Sequence, residues 1–453
     1  MTSMQTISAA GAPGNDAAGN GTAAGIQAAP VDAKALRRIV MASVAGNALE
    51  WYDFFLYSTA AALVFGQVFF PKGADPLLGT LAAFAGFAVG FAARPFGGVL
   101  FGHIGDRYGR KGALVWTLSI MGGATFLIGL LPTYAQVGLL APALLVLLRV
   151  LQGIASGGEW GGGVLIISES APPEKRGFLA AWSQIGVGGG FVLSAAVFFA
   201  VQTLPKDAFM SWGWRIPFLL SIFIFGVGVY IRSKLPESAE FAKAEAAGKK
   251  AHMPVMEAIR KHPKEILMAM GLRVAENGGS YIFLAFALVY GKFIGVPNAV
   301  MLAGVMVSMT VELVAMPIWG RLSDRIGRKP IYMIGAVGLI VVAFPFFWLL
   351  DTKVPTLIWL AFLLGNPLCH GAMIGTQPSL MGELFSTEVR YSGMALGHEI
   401  ASVFAGGLSP LLATALLAHY RAAWPVALML IAMGAITVIA LLFTHETAPR
   451  RSR

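Results

Sequence analysis

Residues Gly102 to Lys111 read Gly-His-Ile-Gly-Asp-Arg-Tyr-Gly-Arg-Lys, and residues Gly320 to Lys329 read Gly-Arg-Leu-Ser-Asp-Arg-Ile-Gly-Arg-Lys. One charged loop thus occurs twice, 218 positions apart, each time between two long apolar segments. Glu169 and Arg176 return 214 positions on as Glu383 and Arg390, and Pro236-Glu237-Ser238 is echoed by His445-Glu446-Thr447. Matches in one order predict two similar halves, with any ligand site at their interface.

The surrounding sequence belongs in a bilayer. Of the 453 residues, 57% are apolar and 12% charged, and the mean hydropathy of +0.71 is too high for a soluble chain of this length. Apolar runs long enough to span lie at 39–69, 77–102, 112–131, 138–168, 177–203, 214–233, 265–291, 298–320, 330–350, 355–382, 391–418 and 423–443. The expected fold is an all-α membrane protein, twelve transmembrane helices in two pseudo-symmetric six-helix bundles. Expected divisions are a disordered tail (1–35, rich in Ala, Gly and Thr), a first bundle (36–234), a polar linker (235–263), a second bundle (264–445) and a short tail (446–453).

A net charge of +10 raises nucleic acid as a partner, but the distribution of the 33 Lys and Arg argues for topology instead. Most fall on alternate connections. Lys72, Lys206, Arg215, Lys292, Lys353 and Arg421 fall on the other side, and Arg94, Arg149 and Arg273 lie within helices. Both motif loops and both termini are therefore expected in the cytoplasm. The single cysteine, Cys369, has no intrachain partner.

The paired loops resemble the signature loop of the major facilitator superfamily, and Arg149-Val-Leu-Gln-Gly153 resembles its second signature. Glu50-Trp51-Tyr52-Asp53-Phe54, Arg94-Pro95-Phe96-Gly97-Gly98, Gly157-Gly158-Glu159-Trp160-Gly161-Gly162 and Trp212-Gly213-Trp214-Arg215-Ile216-Pro217-Phe218 resemble the metabolite:proton symporter family. The likeness covers about residues 36 to 447. It implies a multi-pass protein of a bacterial inner membrane, not an enzyme, acting as a monomer without a cofactor. Its partners are then a small organic acid such as shikimate or a di- or tricarboxylate, protons and lipid. The family's osmolyte members, for proline and betaine, are the alternative; they often carry a long heptad-patterned C-terminal extension, whereas this sequence runs six residues past Thr447. A membrane sensor that binds a nutrient without moving it is the reading from another class.

An ionised side chain at the bilayer centre costs about 2.5–3.5 kcal/mol, so every intramembrane charge is a functional candidate. The acids are Glu50, Asp53, Glu159, Glu276, Glu312 and Glu399, against Arg94, Arg149 and Arg273. Glu50 and Asp53 share a helix face, which disfavours ionising both at once. Asp53 lies about 22 Å along the helix from Arg38. By resemblance, Asp53 and Arg149 match an acid–arginine pair that couples protons in related facilitators, and a static pair locking two helices is the plain alternative. Glu50, Asp53, Arg149, Glu159 and Glu276 are accordingly the proton-coupling candidates.

Arg94 and Glu312 each stand eight residues before the first glycine of their loop, at equivalent depths near the midplane. Arg94 can offer a planar fork to a substrate carboxylate, pair with a buried acid such as Glu399, or snorkel. Glu312 is its counter-charge or a second proton site. Arg273, Glu276 and Asn277 precede a Gly278-Gly279 pair that suits a bend around a cavity. The substrate-binding candidates are Arg94, Arg149, Tyr57, Trp160, Gln184, Arg273, Asn277, Tyr281, Glu312, Asn366, His370, His398 and Glu399, with Tyr290 as a further cavity residue. For the aromatic and histidine members, packing is the competing role.

The loops themselves read as a conformational latch: Gly102, Asp106, Arg107, Gly109, Arg110, Glu169 and Arg176, with Gly320, Asp324, Arg325, Gly327, Arg328, Glu383 and Arg390. Asp106 and Asp324 can accept bonds from backbone N–H groups at a neighbouring helix start while that side is closed. Asp106 is expected to matter more, having Glu169, Glu174, Lys175 and Arg176 nearby in sequence; orientation alone is the plainer role. The glycines at 157–163 and 186–190 read as helix packing, since no phosphate loop, metal motif or nucleophile elbow is present.

Overall fold

The computed structural model describes residues 33–71, 76–108, 110–157, 171–233, 259–385 and 390–448, and the described residues contain helices and no strands. In the first half, α1 is Ala33–Ala60 continued through a π-turn, Ala61–Phe65, to Gly66–Val68; α2 is Pro76–Tyr108, α3 Arg110–Leu130, α4 Leu140–Ser156, α5 Arg176–Val201 and α6 Ile216–Ser233. In the second, α7 is Pro263–Tyr281 with a π-turn, Ile282–Phe286, and Ala287–Phe293; α8 is Asn298–Ile326 and α9 Arg328–Asp351. α10 is Pro355–Leu363, a π-turn at Leu364–His370, and Gly371–Leu384; α11 is Arg390–Ser402, a π-turn at Val403–Gly407, and Leu408–Tyr420; α12 is Trp424–Phe443.

These twelve segments follow the apolar runs, with one systematic difference. α2 and α8 continue to Tyr108 and Ile326, past the expected 102 and 320. The apolar run ends where the lipid ends, but helix propensity does not, so the aspartates of both motifs stand on the last turns of long helices. Gly327 then turns the chain at φ +123°, a conformation a side chain resists. Residues 234–258, which contain most of the expected linker, lie outside the described residues, as does nearly all of the N-terminal tail.

Among the described residues, eight helices are long and apolar enough to cross a membrane, and α3 and α4 contribute shorter apolar stretches. α1 and α7 are the two left over, and they carry Glu50 and Asp53, and Arg273, Glu276 and Asn277. Their polarity marks an inward face rather than a failure to span. Outward positions are apolar, with Phe223, Val314, Trp348, Leu442 and Phe443 exposed, while Glu50, Asp53, Arg94, Arg149, Arg273, Glu276, Glu312 and Glu399, charges away from the helix ends, are buried. The protein is a multi-pass membrane protein.

Glycine lets particular helices meet at backbone distance. A Cβ at Gly97, Gly153 or Gly157 would enter the backbone of the partner helix, which seats α2 directly on α4. Gly186 and Gly190 do the same for α5 on α1. The halves meet where α5 packs on α8 and α10, and where α2 packs on α11.

Candidate functional site

Three helices of the first half and one of the second converge on Arg94. Its NH2 donates to Glu50 Oε1 of α1 at 2.9 Å, and its Nε lies 2.8 Å from Glu399 Oε2 of α11. Glu50 Oε1 also accepts from Ser156 Oγ of α4 at 2.6 Å. Arg94 and Glu50 are fully buried and Glu399 nearly so. Arg94 NH1 has no hydrogen-bond partner, leaving the fork with donor capacity.

One turn away, Asp53 is held by three groups. Oδ1 accepts from Thr125 Oγ1 at 2.5 Å and Gln152 Nε2 at 2.7 Å, while Oδ2 lies 3.6 Å from Arg149 NH1. Arg149 NH1 donates instead to Gln152 Oε1 at 2.8 Å, and its Nε and NH2 have no hydrogen-bond partner. The guanidinium lies over Tyr57, 4.1 Å from the ring centre, and the Phe54 ring stands between the two arginines, 4.9 Å from Arg94 and 5.1 Å from Arg149. Aromatic faces stabilise a cation that lacks enough anionic contacts.

The second half holds a separate network. Arg273 NH1 donates to Glu276 Oε2 at 2.7 Å and to Gln377 Oε1 at 2.9 Å. Gln377 Nε2 reaches Glu276 Oε2 at 3.1 Å and Tyr332 OH at 2.9 Å. His370 has Glu312 Oε1 2.5 Å from Nδ1 and Glu276 Oε1 3.3 Å from Nε2. His398 Nδ1 lies 3.0 Å from Oε1 of its neighbour Glu399, the acid whose other oxygen joins α11 to Arg94.

Both ends of this buried charge are covered. On one side Tyr281 of α7 packs on Phe87 and Phe91 of α2, with ring centres 5.3 and 5.7 Å apart, and on Phe55 at 6.1 Å. On the motif-loop side, Asp324 takes bonds from the backbone N–H groups of Gly177 and Phe178 at the start of α5, both 2.9 Å, and pairs with Arg328 at 2.6 Å. Glu383 lies 3.7 Å from Arg176 of the other half and 3.4 Å from Arg328, and accepts from Thr447 at 2.6 Å. A carboxylate at a helix start is held by two donors and the helix dipole together.

A sequence model described as Major Facilitator Superfamily matches residues 44–402. The chain belongs to that superfamily. It is 41% identical over 419 residues to the shikimate transporter of Escherichia coli K12, covering 91% of this chain and 95% of that one. It is 38% identical over 435 residues to the glycine betaine/proline/ectoine/pipecolic acid transporter OusA of Dickeya dadantii, covering 92% and 85%. Among solved structures, the xylose transporter XylE of E. coli, partially occluded and inward open, superposes with a TM-score of 0.68 over 92% of this chain and 99% of that one at 17% identity, which concerns the fold. The protein is a membrane transporter and not an enzyme.

Within this facilitator, several sequence expectations change. Glu312 is not the counter-charge of Arg94: it bonds His370, because equal depth on α2 and α8 says nothing about which way each side chain faces. Arg94 takes Glu50 and Glu399. Glu50 and Asp53 share a face of α1 yet belong to different cation groups, so each carboxylate is compensated separately. Gly278 and Gly279 stay α-helical against Met433 and Leu339, and the irregular turn of α7 comes afterwards, at Ile282–Phe286.

The remaining candidates make the following contacts. Tyr57 donates to Ala83 O at 3.3 Å and Gln184 to Ser183 at 3.2 Å. Asn366 bonds Ser308 at 3.0 Å, Asn277 is buried beside Gly406, and Tyr290 donates to Asp351 far from the charge cluster. Glu159, Trp160, Glu169 and Gly109 lie outside the described residues, as do the side chains of Asp106, Arg107, Arg110 and Arg390. Sequence reasoning missed Gln152, Thr125, Ser156, Gln377 and Phe54, which complete the networks. Gln152 had a signal, standing one helical turn after Arg149.

Proposed function

We propose that this facilitator is a proton-coupled symporter that imports a small organic acid by alternating access, with both termini and the motif loops in the cytoplasm. The observation that carries the reading is Arg94 shared between Glu50 of its own half and Glu399 of the other. A substrate carboxylate matches Glu399 as a fork partner, so substrate entry and protonation of Glu399 replace one anion by another at the seam between the halves. Asp53 supplies a second proton position. Its 3.6 Å approach to Arg149 is loose, and a proton on Asp53 leaves the arginine held by Gln152 and aromatic faces. The relative named for shikimate, itself a carboxylate, supports this substrate class. The Asp324 and Glu383 contacts then hold the cytoplasmic side closed.

A zwitterion such as glycine betaine is the second reading. The observation favouring it is the set of rings around the arginines, Phe54, Tyr57, Phe87 and Phe91, which offer faces to any cation, a quaternary ammonium included. Uptake of labelled shikimate and glycine betaine into proteoliposomes, with and without an inward proton gradient, separates the two. Accumulation of shikimate driven by the gradient supports the first reading. Accumulation of betaine alone replaces it by the second, and binding without uptake of either removes both.

A further inference from the structure

Each half pairs an acid on its first helix with a basic side chain on its fourth, although not at equivalent positions. In the first half these are Asp53 of α1 and Arg149 of α4, and in the second Glu276 of α7 and His370 of α10. The chemistry is not the same. Arginine keeps its proton under all ordinary conditions, whereas imidazole exchanges one. The α2 position that is Arg94 in the first half is Glu312 in the second.

Resting on the proton-coupled reading above, we propose that Glu312, His370 and Glu276 form a further proton-carrying site, so that one proton cycles on this cluster in addition to those on Glu399 and Asp53. The geometry sets the proton count. Both ring nitrogens of His370 face carboxylate oxygens, at 2.5 Å and 3.3 Å. A nitrogen lone pair and a carboxylate lone pair repel at such distances, so each gap holds a proton. Two protons in two gaps correspond to an imidazolium between two carboxylates, or to a neutral imidazole with one carboxylic acid. The exchange between these breaks an N–H bond at Nδ1 and forms an O–H bond on Glu312, with nothing else altered.

The charges agree with that count. Arg273 and the imidazolium balance Glu276 and Glu312, and removing one proton leaves a buried excess negative charge. Glu276 is separately compensated by Arg273 and Gln377, whereas Glu312 Oε2 has no hydrogen-bond partner. Glu312 is therefore the member whose proton leaves when the site opens. α8 also packs on α5 of the other half, with Leu313 against Gly188, so parting that seam brings water towards Glu312. The other titratable groups around the cluster are Arg273 on α7, Tyr332 on α9, and His398 and Glu399 on α11, with Arg94 beyond Glu399.

The test is the proton count per substrate in proteoliposomes, read from the steady accumulation of labelled shikimate or glycine betaine against imposed proton gradients with the voltage clamped at zero. A count lower by about one proton in Glu312→Gln than in the wild type is expected, since each coupled proton multiplies accumulation about tenfold per pH unit. An unchanged count in a transporting Glu312→Gln protein overturns the proposal. Should the variant not transport, proton uptake by the purified full-length protein across a pH jump decides, with the carboxylic acid followed by infrared difference. Uptake lower by about one proton in Glu312→Gln supports the cluster, and equal uptake overturns it. A wild type that moves substrate without protons overturns the proposed function instead, and the pH-jump measurement then decides the cluster by the same two outcomes.

Discussion

Arg94 Nε of α2 stands 2.8 Å from Glu399 Oε2 of α11, a buried ion pair that joins the two six-helix halves across their interface. Breaking a buried pair by removing one partner is costly, because the other charge stays behind. An ion pair at this place must therefore be exchanged rather than simply opened when the halves part, and in the proposed cycle a substrate carboxylate with a proton supplies the exchange.

Arg94→Lys keeps the charge and loses the fork that reaches Glu50 and Glu399 together. Uptake at low substrate concentration is expected to fall at least about tenfold in a protein that still purifies as a stable monodisperse peak. Unchanged apparent affinity in concentration-dependent uptake contradicts the assignment.

Asp53→Asn retains bonds to Thr125 and Gln152 but can no longer be ionised. Equilibrium exchange of labelled substrate is expected to persist, while steady accumulation driven by a one-unit pH gradient falls about tenfold, the value of one coupled proton. Accumulation equal to wild type removes Asp53 from coupling.

Asp324→Asn weakens two charge-assisted bonds to the start of α5. Met316, buried on α8 near Gly188 and Gly375, is a reporter of that seam. In a Cys369→Ser background, maleimide labelling of Met316→Cys is expected to rise about fivefold on adding Asp324→Asn, equivalent to about 1 kcal/mol of population shift. Equal labelling rates speak against a latch.

Gly153→Val places a branched side chain where α4 touches the backbone of α2 at Gly90. Over-packing of this kind costs about 1–3 kcal/mol, so a lower midpoint of thermal unfolding in detergent is expected. An unchanged midpoint indicates that the helices separate easily.

Much of the fold was legible because membrane helices are set by composition and length, and the doubled loop gave the repeat. Intramembrane charge likewise named Arg94, Asp53, Arg149, Glu276 and Glu399 before any geometry. The pairing was less legible. Depth along a helix follows from residue count, but the direction a side chain faces depends on how helices are rotated against each other, which is why the sequence leaves Glu312 open between a counter-charge of Arg94 and a second proton site and does not point to His370. Neutral partners such as Thr125 and Gln377 carry no charge signal, and their role follows only from burial beside an ion. The π-turns at Leu364–His370 and Val403–Gly407 were not legible either, since an extra residue in a helical turn leaves the hydropathy pattern almost unchanged.

The most direct test of the central claim is steady accumulation of labelled shikimate and glycine betaine in proteoliposomes, at zero voltage, across a series of inward proton gradients. Proton coupling predicts that the inside-to-outside ratio of at least one of them rises with the gradient and returns to unity when a protonophore is added. A ratio of unity for both at every gradient, in protein that exchanges or binds them, contradicts it.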